Sequence, residues 1–279
     1  MQSFWRDIAV FLDSSPAGLS LCRRAAALAK THRAHLVGVY GAMPGRHDHP
    51  SAGYARGAGV SDLIRRQREA DDAEALSAAR AFSDLSAEYG VSSEFRVVWR
   101  DGVHDGDVLR GIHCDLIVAA HPKPADLPLE WSAERLLLTT GIPVLRVPDS
   151  WNDERAIGGD IVIAWNRSRE ARRAVSDALP FIRTADRVTI LTVDAATSVE
   201  EPGANLLRHL IRHDAKVDVV AVLSEGQPIA DVILAQANER NATLLVIGAY
   251  SHPRSAELLF GGVTRSLLAT APLPLLISR

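Results

Sequence analysis

Apolar residues fall along this chain in short unbroken runs, separated by longer stretches with helical spacing. In the first half the runs lie near residues 8–13, 35–40, 93–99, 115–120 and 143–147. In the second they lie near 160–165, 187–193, 217–223, 243–248 and 274–278. Leu116-Ile-Val-Ala-Ala120 shows no polar alternation, which suits a strand of a parallel sheet covered on both faces. With helices between the runs, each half predicts β-α-β-α-β-α-β-α-β. The expected fold is α/β: two tandem, doubly wound, parallel five-stranded sheets, over residues 1–149 and 155–279. Pro148-Asp-Ser-Trp-Asn-Asp-Glu154 reads as the linker.

The halves repeat one plan. Ile8-Ala-Val-Phe-Leu-Asp-Ser-Ser-Pro-Ala-Gly18 and Ile161-Val-Ile-Ala-Trp-Asn-Arg-Ser-Arg-Glu-Ala171 each hold an apolar run, a small carboxylate or amide (Asp13, Asn166) and a serine two places on (Ser15, Ser168). This is a strand, a polar turn and a helix with serine as its N-cap. The halves also end alike: helices over 132–140 and 264–270 lead through a proline into a last strand, since proline cannot continue a helix. Ligands in such sheets bind beyond the carboxyl ends of the strands, where strand order changes direction. That puts Asp13 or Asn166, and the loop after Gly248, on the rim.

Composition narrows the classes. A chain of 279 residues with 47% apolar and 23% charged residues is an ordinary globular one. The formal net charge of −3 gives no basic field for nucleic acid or an anionic membrane. Arg65-Arg66-Gln67-Arg68-Glu69-Ala70-Asp71-Asp72 reads as a solvated helix face. Cys22 and Cys114 form no CxxC pair, which fits a reducing compartment. MQSFWRDIAVFLD is too short and too acidic in its apolar run for a signal peptide, and no stretch nears the ~20 apolar residues of a membrane helix. A cytoplasmic protein is expected.

The chemistry concentrates in Gly248-Ala-Tyr-Ser-His-Pro-Arg-Ser-Ala-Glu-Leu-Leu-Phe-Gly-Gly-Val-Thr264. Gly248, at a strand end, would let a ligand approach the backbone without a Cβ in the way. Gly261 and Gly262 would expose amides at the positive end of the helix starting near Val263, where an anion is favoured. Thr264 offers a hydroxyl, and Arg254 a bidentate fork for a phosphate.

These residues resemble the universal stress protein (UspA-like) family in its tandem form, over nearly the whole chain. Nucleotide-binding members carry G-x2-G-x9-G-[ST] after the fourth strand. Gly248 fills the first position, Ser251 stands at the second glycine, Gly261 lies ten residues beyond, and Gly262 replaces the hydroxyl residue. The resemblance implies the adenine nucleotide alpha-hydrolase-like, Rossmann-like fold. It implies ATP or another adenine nucleotide, with Mg2+ beside ATP, in the second half. Asn166 would lie near the adenine and ribose in place of an aspartate, with Ala164 and Val193 lining the base pocket. Ser251, Arg254, Gly261, Gly262, Val263 and Thr264 would surround the phosphates. The family also pairs domains along the last strand, so Pro143–Val147 and Pro274–Ser278 are expected to pair as an internal pseudo-dimer. The remaining edges are candidates for a homodimer.

After Ala120 the first half has His-Pro-Lys-Pro-Ala-Asp-Leu-Pro-Leu-Glu130, with three prolines and no glycine. So stiff a loop, with few amides, is a poor phosphate cradle, and no nucleotide is expected there. His47-Asp48-His49 offers metal-type ligands, but neighbours in an extended loop do not converge without further ligands. His113-Cys114 invites a thiol-nucleophile reading against core packing. Ser251-His252 lacks a G-x-S-x-G elbow, and no Walker A lysine is present, so ATP hydrolysis has no visible machinery. Trp131, Trp151 and Trp165 read as packing between halves or subunits, with Trp165 stacking on adenine as the alternative. Three readings follow: a stress-response sensor that binds an adenine nucleotide, a nucleotide-free interaction scaffold of the same fold, and, without nameable catalytic groups, an ATP-consuming enzyme that is at most a slow ATPase.

Overall fold

The computed structural model describes residues 5–42, 58–99, 109, 112–123, 127–152, 155–195, 202–249 and 262–279. The chain divides into two compact units, Trp5–Thr140 and Gly141–Arg279.

In the first unit, β1 (Asp7–Leu12), α1 (Pro16–His32), β2 (His35–Ala42), α2 (Ala58–Tyr89), β3 (Ser93–Trp99), β4 (Leu116–His121) and α3 (Ala133–Thr140) follow one another. The strands lie in the order β3-β2-β1-β4, all parallel. β1 and β4 are buried nearly throughout, as their unbroken apolar runs require. Ser15 caps α1, its hydroxyl accepting from the Gly18 amide at 3.1 Å. Helix α2 buries Asp71, Ala75, Ala78, Phe82 and Leu85, spaced by fours and threes along one face. The expected solvated face holds for Arg68, Glu69 and Asp72, but Asp71 turns inward.

The second unit holds β5 (Val144–Pro148), β6 (Asp160–Ala164), α4 (Arg169–Asp177), α5 (Leu179–Ile182) and β7 (Arg187–Val193). It continues through α6 (Ala204–Ile211), β8 (Val217–Val222), α7 (Ile229–Glu239), β9 (Leu244–Gly248), α8 (Gly262–Thr270) and β10 (Leu275–Ser278). Its strand order is β5-β10-β9-β6-β7-β8. All neighbours are parallel except β5 and β10, which pair antiparallel with Leu275 opposite Arg146 and Ile277 opposite Val144. This is the ladder expected between 143–147 and 274–278. Arg146 is buried in it, its guanidinium donating to the Ala271 carbonyl at 2.9 Å.

The connection through Trp151 is pinned to this unit. The Trp151 indole donates to the Arg155 carbonyl at 3.2 Å, and the Arg155 guanidinium lies 5.0 Å from the ring and donates to Asn241. Trp151 thus packs locally. The chain leaves β6 towards β7 on one side, while β9 leads to β10 on the other, so the switch point lies between β6 and β9. No described helix is long and apolar enough to cross a membrane.

Candidate ligand cleft at the end of the second sheet

At the carboxyl end of β6 the chain turns sharply. The Trp165 amide donates to the Leu191 carbonyl at 2.8 Å, extending the ladder by one residue. Asn166 Oδ1 accepts the Ser168 amide at 3.1 Å, and Arg167 sits between them at φ 63°. Ser168 then caps α4, its hydroxyl accepting from the Ala171 amide at 3.0 Å. The first unit repeats this corner: Asp13 Oδ1 accepts the Ser15 amide at 3.1 Å before the Ser15 cap.

Gly248 ends β9 against this corner. A Cβ there would lie 2.3 Å from the Ala171 nitrogen and 2.4 Å from the Glu170 carbonyl carbon. Its missing side chain therefore admits the first turn of α4, a reason nearer than the approach of a ligand. A Cβ on Gly262, by contrast, would meet nothing within 4 Å.

Beyond these strand ends lies a cavity of about 240 Å³. Ala164, Trp165 and Asn166 form its β6 side, Leu191 and Val193 its β7 side, and Ile247 and Gly248 its β9 side. Ile229 and Ile233 reach it from α7, while Gly262, Val263, Thr264 and Leu267 bring the first turns of α8. Ala164, Asn166, Val193, Gly248, Gly262, Val263 and Thr264, singled out from sequence, thus meet at one cavity. Ser251, Arg254 and Gly261 lie outside the described residues, as do Ser251-His252 and His47-Asp48-His49.

Sequence reasoning missed Leu191, Ile229, Ile233, Ile247 and Leu267. Only the spacing of Ile229 and Ile233, one turn apart on α7, hinted that both face one way. Trp165, half-buried, lines the cavity, where its alternative reading, stacking on a base, would place it. Most of the wall is apolar. Asn166, Thr264 and Trp165 bring side-chain polarity, and the N-terminus of α8 brings backbone amides. Such a site suits a flat, largely apolar group attached to an anion.

The first unit fills the matching place. Phe11 stands two residues before Asp13, as Ala164 stands two before Asn166. Trp131 lies nine residues before Thr140, the last residue of α3, as Gly261 lies nine before Thr270, the last of α8. Phe11 and Trp131 are each 1% exposed, and their rings meet edge to face at 4.9 Å and 82°. The Trp131 ring also closes on Gly41, where a Cβ would lie 3.0 Å from it. Trp131 is therefore internal packing of its own unit, not packing between halves or subunits.

The titratable groups near these corners are settled by local partners. Burial pushes the Cys22 and Cys114 thiols up to about 12, so both are protonated at neutral pH and Cys114 is no ready nucleophile. Burial acts to raise the Glu170 carboxyl, but Arg169 at 2.5 Å, a backbone amide and the Ser168 hydroxyl hold it below its ordinary value. The Ser224 hydroxyl and amide likewise hold Asp194, at the end of β7, low. No group of three His, Cys, Asp or Glu among the described residues could hold a metal ion.

Comparison with known proteins bears on the fold and the family. A universal stress protein from Archaeoglobus fulgidus DSM 4304 superposes with a TM-score of 0.66 at 14% identity, covering 97% of this chain and 96% of its own. A putative universal stress protein from Pseudomonas aeruginosa UCBPP-PA14 gives 0.57 at 20% identity, covering 98% and 93%. Both span the tandem arrangement. No curated protein matches the sequence. The sequence model of the Universal stress protein family matches residues 159–279. Residues 159–279 thus form a domain of the universal stress protein family.

Proposed function

We propose that the cavity at the end of β6 and β9 binds an adenine nucleotide, ATP foremost, and that the chain serves as a stress-response sensor or regulator switched by it. The observation that carries this reading is the contrast between the units. One rim is plugged by Phe11 and Trp131, while the other is kept open by Ala164 beside the N-terminus of α8, whose backbone amides favour an anion. In this reading the base lies between Ala164, Val193 and Ile229, with Asn166 at its polar edge. Gly262, Val263 and Thr264, with Ser251, Arg254 and Gly261 from the preceding loop, hold the phosphates. Mg2+ enters with ATP, carried on the phosphate oxygens. The plugged first unit takes no nucleotide.

A nucleotide-free scaffold is the second reading, and one observation favours it: Gly248 is required by α4 whether or not a ligand comes. Calorimetric titration of the full chain with ATP and Mg2+ separates the two. Saturable binding supports the sensor, and a flat titration at millimolar ATP supports the scaffold.

A further inference from the structure

Helix α6 ends in a turn that fixes two histidines one above the other. The Ala215 amide donates back to the Leu210 carbonyl at 3.2 Å and the Asp214 amide to the Ile211 carbonyl at 3.0 Å, with Asp214 left-handed at φ 63°. This pair of bonds satisfies the last carbonyls and holds the backbone of His213 one turn beyond His209. Leu206 and Leu210 are buried on the inner side of the helix, while His209 is exposed and His213 half-buried. Residues four apart share a helix face. The two imidazoles meet there with ring centroids 4.7 Å apart and planes at 67°.

That separation is the one two ligands of a single ion require. A metal sits about 2.0–2.1 Å from an imidazole nitrogen, with the ring centre ~1.1 Å behind it, so rings at right-angled to tetrahedral positions have centroids about 4.5–5.1 Å apart. The end of α6 adds the partial negative charge of its carbonyls and the carboxylate of Asp214, against Arg212 and Lys216, which are exposed and therefore screened. The Arg208 guanidinium is drawn to Asn205 Oδ1 at 2.6 Å, back along the helix. We infer that His209 and His213 form a chelating site for one divalent transition-metal ion, Cu2+ tightest, with Ni2+ and Zn2+ weaker. Imidazole suits these ions, whereas Mg2+ and Ca2+ want oxygen ligands. Two protein ligands leave the other positions to water, so the ion exchanges freely and is not a structural one. β8 begins at Val217, four residues past His213, and runs parallel to β7, whose carboxyl end reaches the cleft at Val193. The site thus lies at the opposite end of these strands from the cleft, and it is independent of the nucleotide reading.

The test titrates the full chain and its His209→Gln and His213→Gln variants with Cu2+ at neutral pH, by calorimetry and by electron paramagnetic resonance of the bound ion. The tightest-bound Cu2+ of the wild type is expected to show the nitrogen couplings of two imidazoles. Either substitution is expected to weaken its binding about tenfold or more and to leave one imidazole, because the turn no longer presents a second nitrogen at high local concentration. Affinity and couplings unchanged in either variant would put the ion on others of the ten histidines and overturn the inference. A wild type that takes up no Cu2+ saturably, or whose tightest ion shows fewer than two imidazoles, overturns it as well. The wild-type spectrum decides by itself where a variant fails to fold.

Discussion

A methyl group at position 248 would press on backbone atoms of α4 at 2.3 and 2.4 Å, and backbone at a capped helix start cannot swing aside as a flexible side chain would. Gly248→Ala is therefore expected to lower folding stability by about 3 kcal/mol, read as a shift in the urea midpoint with no ligand present. An unchanged midpoint would show that α4 gives way. His32 sets a second expectation. It is buried against Trp5, with ring centroids 4.5 Å apart, and burial lowers its pKa from 6.5 to about 4. The unfolded chain takes up the proton first as pH falls, so the native state loses stability between pH 6.5 and about 4 and keeps it in full above pH 6.5. That loss is about 3 kcal/mol across the window. Urea midpoints at pH 7 and pH 4.5 should show it, and His32→Phe should flatten the difference.

Among elements, the open and plugged rims turn on which side chain stands at the end of the first strand of each half. Ala164→Phe copies the first unit's Phe11 into the second. It is expected to keep the thermal midpoint within a few degrees and to weaken ATP binding more than tenfold, because the ring takes space that the base would use. Retained binding would move the base away from Ala164. Much of this element plan was legible in the sequence. Buried parallel strands leave unbroken apolar runs, and Ser15 and Ser168 announced their caps two places after Asp13 and Asn166. The plug was not legible. Trp131 sits in a proline-rich stretch without periodicity, and its contact with Phe11 spans 120 residues of sequence, as residue 131 less residue 11 gives. Leu191, Ile247 and Leu267 were hidden for a similar reason: an apolar residue inside a strand or helix carries no mark that its end of the element opens onto a cavity.

At the scale of the whole molecule, the repeat in the sequence and the compact units in space are offset by one strand. β5 closes the first repeat in sequence, yet it lies within Gly141–Arg279 and ladders with β10. Proline before each last strand was visible from sequence, and the pairing of those strands was implied by the family resemblance. The burial of Arg146 in that ladder was not, because its partner, the Ala271 carbonyl, is 125 residues away. On the proposed reading, two repeats that share a plan and differ in their rims give one nucleotide site per chain. Counting nucleotides per chain by calorimetric titration of the intact protein with ATP tests this most directly. The account predicts a stoichiometry near one; no binding at millimolar ATP, or two nucleotides per chain, would contradict it.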